Sequence, residues 1–181
     1  MDPEPTITIR EATLEDAEPL QKYLVRLVAE RLPVIFHKSH APSIEEERHY
    51  IRRLQSEPRS ALFLALAQEE IVGMLDIHGN PRQQCQHVAE FGMSVSQAWR
   101  RRGVATNLIE YLEHWAQSHG IKRIDLEVFE NNPGAIRLYE KKGFAIEGRR
   151  VGAVEIDGAY IDIIQMGKLL NAKKGALSAQ A

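Results

Sequence analysis

Between Phe91 and Leu112 the chain reads Phe91-Gly-Met-Ser-Val95-Ser-Gln-Ala-Trp-Arg100-Arg-Arg-Gly103-Val-Ala-Thr-Asn-Leu108-Ile-Glu-Tyr-Leu112. The stretch His87–Val95 has strand character and runs into a basic turn. Val104, Leu108, Leu112 and Trp115 then recur at the spacing of one apolar helix face, which predicts an amphipathic helix over Val104–His119 that Gly120 stops. Ile124–Val128 follows as a short apolar strand. A strand, a helix and a strand in that order, from Phe91 to Val128, predict a parallel crossover. That unit decides the fold class, a mixed α/β (α+β) domain.

Upstream, Thr6–Arg10 alternates as a first strand. Thr13 with Asp16 is a capping signature, and Leu14, Ala17, Leu20, Leu24 and Leu27 keep helical spacing until Pro33. Ser43 with Glu46 repeats the signature ahead of Ile44, Ile51 and Leu54, a second helix. The loop between the two helices, Val34–Pro42, is a candidate substrate wall, since loops carry specificity. Ala61–Gln68 and Ile71–Ile77 read as strands joined by a tight turn at Glu69-Glu70, and His78–Gln86 as irregular chain. Downstream, Asn132 caps a helix that has Pro133 at its first position and ends near Gly143. Phe144–Ala153 and Tyr160–Lys168 form a final hairpin around Asp157-Gly158, the strongest turn signal in the chain. The expected order is βααβββαβαββ, one domain over residues 6–170 followed by a flexible tail, 171–181.

The 181 residues are 44% hydrophobic and 27% charged, the composition of an ordinary globular domain. Cys85 stands alone, which excludes an internal disulfide framework and a Cys-rich zinc site. The longest apolar run, Ala61–Ala67, falls far short of the ~20 residues of a membrane span. The opening Met-Asp-Pro-Glu-Pro lacks the basic and apolar regions of a secretory signal, so the expected setting is cytoplasmic, away from membranes. Twenty-three basic against 25 acidic residues disfavour a globally basic nucleic-acid binder. His37 and His40 have no carboxylate at motif distance, so no metal is expected. His114 and His119 read as surface or helix-capping groups, and Trp99 and Trp115 as packing residues.

The candidate chemistry lies at Arg100–Thr106. A helix start presents unpaired backbone N–H groups and about half a positive charge, a ready anion site. Gly103 lets a ligand approach the backbone, Ala105 adds little bulk, and three arginines add charge. On physical grounds alone, a pyrophosphate site and a plain helix start with a basic turn are equally good readings. Neither Gly-x-x-x-x-Gly-Lys-Ser/Thr nor Gly-x-Gly-x-x-Gly occurs in the chain, which excludes the two familiar nucleotide fingerprints.

Arg100-Arg-Arg-Gly103-Val-Ala105 resembles the Arg/Gln-x-x-Gly-x-Gly/Ala acetyl-CoA loop of the GNAT superfamily of N-acetyltransferases. Asn132-Pro-Gly-Ala135-Ile136-Arg-Leu138-Tyr139-Glu-Lys-Lys-Gly143-Phe144 resembles that family's second motif, and the likeness runs from Ile7 to about Leu170. The ending, Glu147-Gly148 through Asp157-Gly158 to Met166, looks most like bacterial branches that acetylate amino acids and other small amines. The resemblance implies a single domain with a central mixed sheet of about seven strands and flanking helices, and acetyl-CoA as cosubstrate. It further implies that backbone N–H groups from Arg101 to Thr106 cradle the pyrophosphate, with the side chains of Arg100, Arg101 and Arg102 beside it or the 3′-phosphate. The strand Met93-Ser94-Val95 would pair with the pantetheine arm while the strand at Ile124–Val128 splays away. Gly92 would mark a bulge at that splay. Asn132 would bond near the pantetheine and Tyr139 would face the thioester sulfur.

Attack by an amine on a thioester needs a route for the amine proton and a donor for the departing thiolate. Tyr139 is the expected acid. Glu90 is the expected base, directly or through a water, with Glu127 as the weaker alternative. The leading expectation is an acetyl-CoA-dependent N-acetyltransferase acting on a small primary amine by direct attack in a ternary complex. The rivals are a peptide or ribosomal-protein N-terminal acetyltransferase, a non-catalytic acyl-CoA-binding module and, last, a nucleic-acid binder. Family habit and the exposed edge of the final hairpin point to a homodimer.

Overall fold

Seven strands form one sheet, ordered across it as Ile7–Glu11, Ala61–Ala67, Glu70–Gly79, Val88–Val95, Arg123–Phe129, Ala159–Leu169 and Ala145–Ile156. The computed structural model describes residues 6–30 and 41–170. In chain order the elements are β1 (Ile7–Glu11), α1 (Ala17–Ala29), α2 (Ile44–Ser56), β2 (Ala61–Ala67), β3 (Glu70–Gly79), β4 (Val88–Val95), α3 (Val104–Ser118), β5 (Arg123–Phe129), α4 (Pro133–Lys141), β6 (Ala145–Ile156) and β7 (Ala159–Leu169). This is the order expected from the sequence. Every neighbouring pair is antiparallel except β4 with β5, the two strands of the crossover through α3. The tail 171–181 and the loop residues Val34–His40, with Phe36, His37 and His40, lie outside the described residues.

Strand alternation sorts the core into two layers. Phe63, Leu75, Ile77, Phe91, Ile124, Leu126 and Val128 point to one face, where Val104, Leu108, Ile109 and Leu112 of α3 and Tyr139 of α4 cover them. Leu62, Leu64 and Leu66 point to the other, where Leu20, Tyr23 and Leu24 of α1 and Ile51 and Leu54 of α2 cover them. Leu108, Ile109 and Leu112 are fully buried. Each such side chain contributes about 2 kcal/mol by leaving water.

The caps account for where the helices begin. Thr13 and Asp16 open a short 3-10 turn ahead of α1, with the Asp16 carboxylate accepting from Thr13 N (2.7 Å) and from both ends of the Arg10 fork (2.7 Å each). Ser43 and Glu46 bond reciprocally at the start of α2. Asn132 Oδ1 accepts from Ala135 N at 3.2 Å at the start of α4. At the far end of α4, Gly143 adopts φ 86°, and Phe144 N donates to Tyr139 O at 3.0 Å. This left-handed stop folds the Phe144 ring back against the Tyr139 ring, 5.9 Å between centroids.

Three local expectations are corrected. The β2–β3 turn is centred on Gln68-Glu69, with Ala67 paired to Glu70 and Gln68 at φ 57°. β3 continues through His78 to Gly79, so His78 belongs to a strand rather than to irregular chain. Gly92 is not in a bulge: β3 and β4 pair without a register shift from Gly73–Val95 to Gly79–Ala89. Glycine stands there because a Cβ would lie 2.8 Å from Asp76 Oδ1, which accepts from Gly92 N. The real irregularities along the final hairpin lie in β6, and the larger falls between Arg150 and Val154. Gly152, at φ 59°, donates its N–H to Asp162 there.

Candidate active site

β4 and β5 pair only at Val88–Arg123, Ala89–Ile124 and Glu90–Asp125, and then diverge. Each is held along its other edge, β4 by β3 and β5 by β7 over all seven of its residues. The divergence opens a cavity of about 610 Å³ through the sheet, walled by Phe91–Val95 of β4, Glu127–Phe129 of β5, the turn before α3 and one side of α4. Asn80 N donates to Val88 O, and Ser96 N to Val72 O, so the even-numbered β4 residues turn their backbone groups toward β3. Met93 and Val95 therefore turn theirs toward the opening. Arg100 Nε bonds the Val95 carbonyl at 3.1 Å, which leaves Met93 N–H and C=O and Val95 N–H facing the cleft.

The turn before α3 supplies the other end of the cavity. Arg101 (φ 61°) and Gly103 (φ 81°) both sit in the left-handed region, and the first helical bond is Asn107 N to Gly103 O. The backbone N–H groups from Arg101 to Thr106 find no acceptor among the described residues. Arg101, Gly103, Val104, Ala105 and Thr106 line the cavity, so this set of donors forms a concave anion cradle at a positive helix end. A left-handed arginine costs of order 1 kcal/mol, which the surrounding bonds must hold in place.

Those bonds come from an unexpected element. Glu30, the residue that ends α1, accepts from Gln97 N at 3.0 Å and from Arg100 Nη2 at 2.7 Å. Arg100 thus clamps the loop, between Glu30 and the Val95 carbonyl, although its chain also lines the cavity. Arg102 lies over the Trp99 ring, 5.2 Å from its centroid, and is not on the cavity wall. Ser94 bonds the Tyr23 hydroxyl at 2.9 Å, a second tie between α1 and the cleft.

Tyr139 reaches the cavity from the α3/α4 side. It is 7% exposed, edge-on to Phe91 at 5.9 Å, and its hydroxyl has no hydrogen-bond partner among the described residues. Burial pushes its pKa up to about 12. Glu90 stands on the opposite face, in the last β4–β5 pair before the opening, beside His78 across β3 and Asp125 across β5. The cavity wall begins at the next residue, Phe91. Glu127 is itself on that wall, accepting from Arg150 Nη1 at 3.0 Å and Gln165 Nε2 at 3.1 Å. Near Glu90, Asp76 accepts from the Tyr50 hydroxyl at 2.5 Å and approaches His78 Nε2 at 3.3 Å. The bond from Asp76 raises the pKa of His78 against the opposing effect of burial.

Residues 24–144 match the model of the Acetyltransferase (GNAT) family. The chain belongs to that family. It is 30% identical over 167 residues to the L-amino acid N-acetyltransferase AaaT of Escherichia coli K12, an alignment that takes in 90% of this chain and 98% of that protein. A GNAT-family acetyltransferase from Streptococcus pneumoniae superposes with a TM-score of 0.82 at 29% identity, covering 91% of this chain and 99% of that one. The yncA protein of Salmonella typhimurium, solved with its cofactor acetyl-CoA, shares the fold with a TM-score of 0.81 at 16% identity, over 96% of this chain and 99% of that one. This GNAT protein is accordingly an acetyl-CoA-dependent acyltransferase. The cradle of donors and the open backbone edge of Met93 and Val95 fit a pyrophosphate and an amide-bearing arm.

Sequence reasoning did not single out Glu30, Asp76, Arg137 or Arg150. Arg137 lines the cavity from α4 as the variable position within Ala135-Ile136-Arg137-Leu138-Tyr139, so its adjacency to the motif was the available signal. His119 behaves as expected: its Nδ1 bonds the Trp115 carbonyl (2.7 Å) in the last turn of α3. Among the described residues no helix is long and apolar enough to cross a membrane, and no group of three His, Cys, Asp or Glu could hold a metal ion.

Proposed function

We propose that this GNAT enzyme moves the acetyl group of acetyl-CoA to a primary amine of a small molecule, an amino acid or an analogue, by direct attack within a ternary complex. The observation that carries this reading is the nearly full-length likeness to AaaT, a protein named for acetylating L-amino acids. Acetyl-CoA supplies an activated thioester whose C–S bond gives way to a C–N bond. The N–H groups of Arg101–Thr106 hold the pyrophosphate, Met93 and Val95 pair with the pantetheine arm, and the Asn132 side chain, its oxygen engaged in capping, offers its NH2 group beside them.

The Tyr139 hydroxyl keeps its proton throughout the working pH range, because burial holds its pKa near 12. It is therefore a donor to the departing sulfur. Glu90 takes the amine proton from the opposite face through a water, its place just beyond the cavity wall favouring a bridged transfer. Glu127 suits the holding of a cation better than proton removal, since two donors already occupy it. Cys85, on the short turn Gln83–Cys85, is not on the cavity wall, which supports direct attack over a cysteine-bound intermediate. A single thiol suits a reducing cytoplasm. The β6–β7 hairpin at the sheet edge, with Val151 of β6 and Tyr160 of β7 exposed at 82% and 72%, supports a homodimer.

Thiol release from acetyl-CoA over amino acids, their analogues, polyamines and short peptides tests the reading. Release selective for small amines is expected. Release with peptides alone, or none above the amine-free blank, overturns it.

A further inference from the structure

Glu127 and Arg150 form an ion pair on the cavity's edge, on the sheet face away from α3 and α4. Glu127 points to that face because Leu126 and Val128 point into the α3/α4 core. Arg150 pairs in register with Ile163, directly opposite Phe129 across β7. It sits immediately before the β6 irregularity that Gly152 and Asp162 pin. The adjacent Arg149 is drawn to the other face by Asp162 and by Glu130 at 2.6 Å, so the two consecutive arginines serve opposite sides of the sheet. Of the Arg150 donors, Nη1 reaches Glu127, at 3.0 and 3.4 Å from its two oxygens. Nε and Nη2 have no acceptor among the described residues, and the side chain is 54% exposed.

We infer that Glu127 and Arg150 bind the acceptor as a zwitterion, Glu127 taking its ammonium and Arg150 its carboxylate, which makes a free α-amino acid the substrate class. The inference rests on the small-amine reading of the site and deepens it. An α-amino acid carries its opposite charges one carbon apart, a separation close to that of the Glu127–Arg150 pair. Lying alongside the pair, it replaces one ion contact with two of the same kind and brings no net charge into the cleft. The unused Nε–Nη2 edge is the planar fork that matches a carboxylate. The same guanidinium repels the second ammonium of a polyamine and leaves the amide of a peptide N-terminus without its charged partner.

The test uses the full chain and three acceptors: the L-amino acid that turns over best, its α-amide, and the amine lacking the carboxyl group. In wild type, kcat/KM for the free acid should exceed that for the amide at least thirtyfold. Arg150→Gln should bring that ratio to within about threefold of unity, chiefly by raising the KM of the acid, and Arg150→Lys should restore part of the preference. Calorimetric titration of the CoA complex with the same amino acid reads binding without turnover. A wild type that acetylates acid and amide alike overturns the zwitterion clamp and leaves the acetyltransferase reading standing. A wild type that acetylates no L-amino acid, yet binds one of them in calorimetry in an Arg150-dependent way, supports the clamp and overturns the small-amine acetylation reading. Binding or turnover of the free acid that Arg150→Gln leaves unchanged overturns the clamp.

Discussion

Replacing Tyr139 by Phe removes one oxygen and nothing else that the fold uses. The hydroxyl bonds no described residue, while the ring's edge contacts with Phe91 and Phe144, both 5.9 Å between centroids, survive in phenylalanine. The melting temperature should therefore stay within about 2 °C of wild type, since each kcal/mol moves a chain of this size by roughly 2–4 °C. The rate should fall much further. A positioned general acid contributes about 10²–10⁴-fold, so kcat is expected to drop at least a hundredfold, about 2.7 kcal/mol of barrier, with the KM for acetyl-CoA within about threefold of wild type. Thiol release with saturating amine measures kcat, and a melt of each protein with and without CoA measures stability and cofactor binding. The alkaline limb carries a second check: with its pKa pushed up to about 12, Tyr139 should impose no fall in kcat up to about pH 10.5. A kcat within threefold of wild type would refute Tyr139 as the acid. A melting temperature lowered by more than about 5 °C would show that the hydroxyl serves the fold instead.

Glu30→Gln should raise the KM for acetyl-CoA five- to tenfold with kcat little changed, because it weakens the charge-assisted hold of Arg100 on the loop (2.7 Å) without touching the cavity wall; initial rates at varied acetyl-CoA measure it, and an unchanged KM counts against the clamp. Asp16→Asn should destabilise the fold by about 2 kcal/mol at pH 7, since it removes the carboxylate that takes the Arg10 fork and Thr13 N. Burial pulls the Asp16 pKa up, but the bonds from Arg10 and Thr13 outweigh it and leave it below the ordinary 3.8. That stabilisation is thus complete above about pH 4 to 5 and is lost as pH falls through the lowered folded value. Wild-type and mutant melting temperatures should converge toward pH 2, and a gap independent of pH would refute the assignment. Val151→Asp combined with Tyr160→Ser should convert a dimer into a monomer in sedimentation experiments if the exposed β6–β7 patch is the contact, whereas a dimer that survives places the contact elsewhere.

The elements that were legible in the sequence are those whose signals are local. Asp157-Gly158 adopts two consecutive left-handed residues, φ 50° and 79°, a turn that the dipeptide itself demands. Asn132-Pro133 and Gly143 bracket α4 by capping chemistry that any reading of the residues finds. Gly92 misled because a glycine in a strand has two causes, a bulge or a close neighbour, and only the register with Asp76 separates them. The role of Arg100 could not be read from three adjacent arginines. Its partner Glu30 is 70 residues away, and nothing in the composition distinguishes a guanidinium that binds phosphate from one that fastens the loop. Arg150 was equally hidden: whether it or Arg149 reaches Glu127 on the face away from α3 and α4 depends on pairing parity just before an irregularity in β6.

The division of the sheet by its cleft places the proposed acid, Tyr139, and the proposed base, Glu90, on opposite faces. β4 stays paired to β3 from Ala89 to Val95, and β5 to β7 along its length, so each strand keeps to its own half of the sheet as the two diverge after Glu90–Asp125. The unpaired backbone edge at Met93 and Val95 is costly to leave without partners inside a sheet, which makes it a site for an extended, amide-bearing chain, much as a sheet edge accepts an added strand. Such a chain entering from the Arg101–Thr106 cradle runs between the two faces. In the proposed reaction Tyr139, on the α4 side and on the cavity wall, meets it from one face, and Glu90, Glu127 and Arg150 serve the acceptor from the other. In that reaction the acceptor amine approaches the thioester carbon from one face of the sheet while Tyr139 reaches the sulfur from the other. On that reading the leaving sulfur and the attacking nitrogen each have their own proton partner, and one side chain need not serve both.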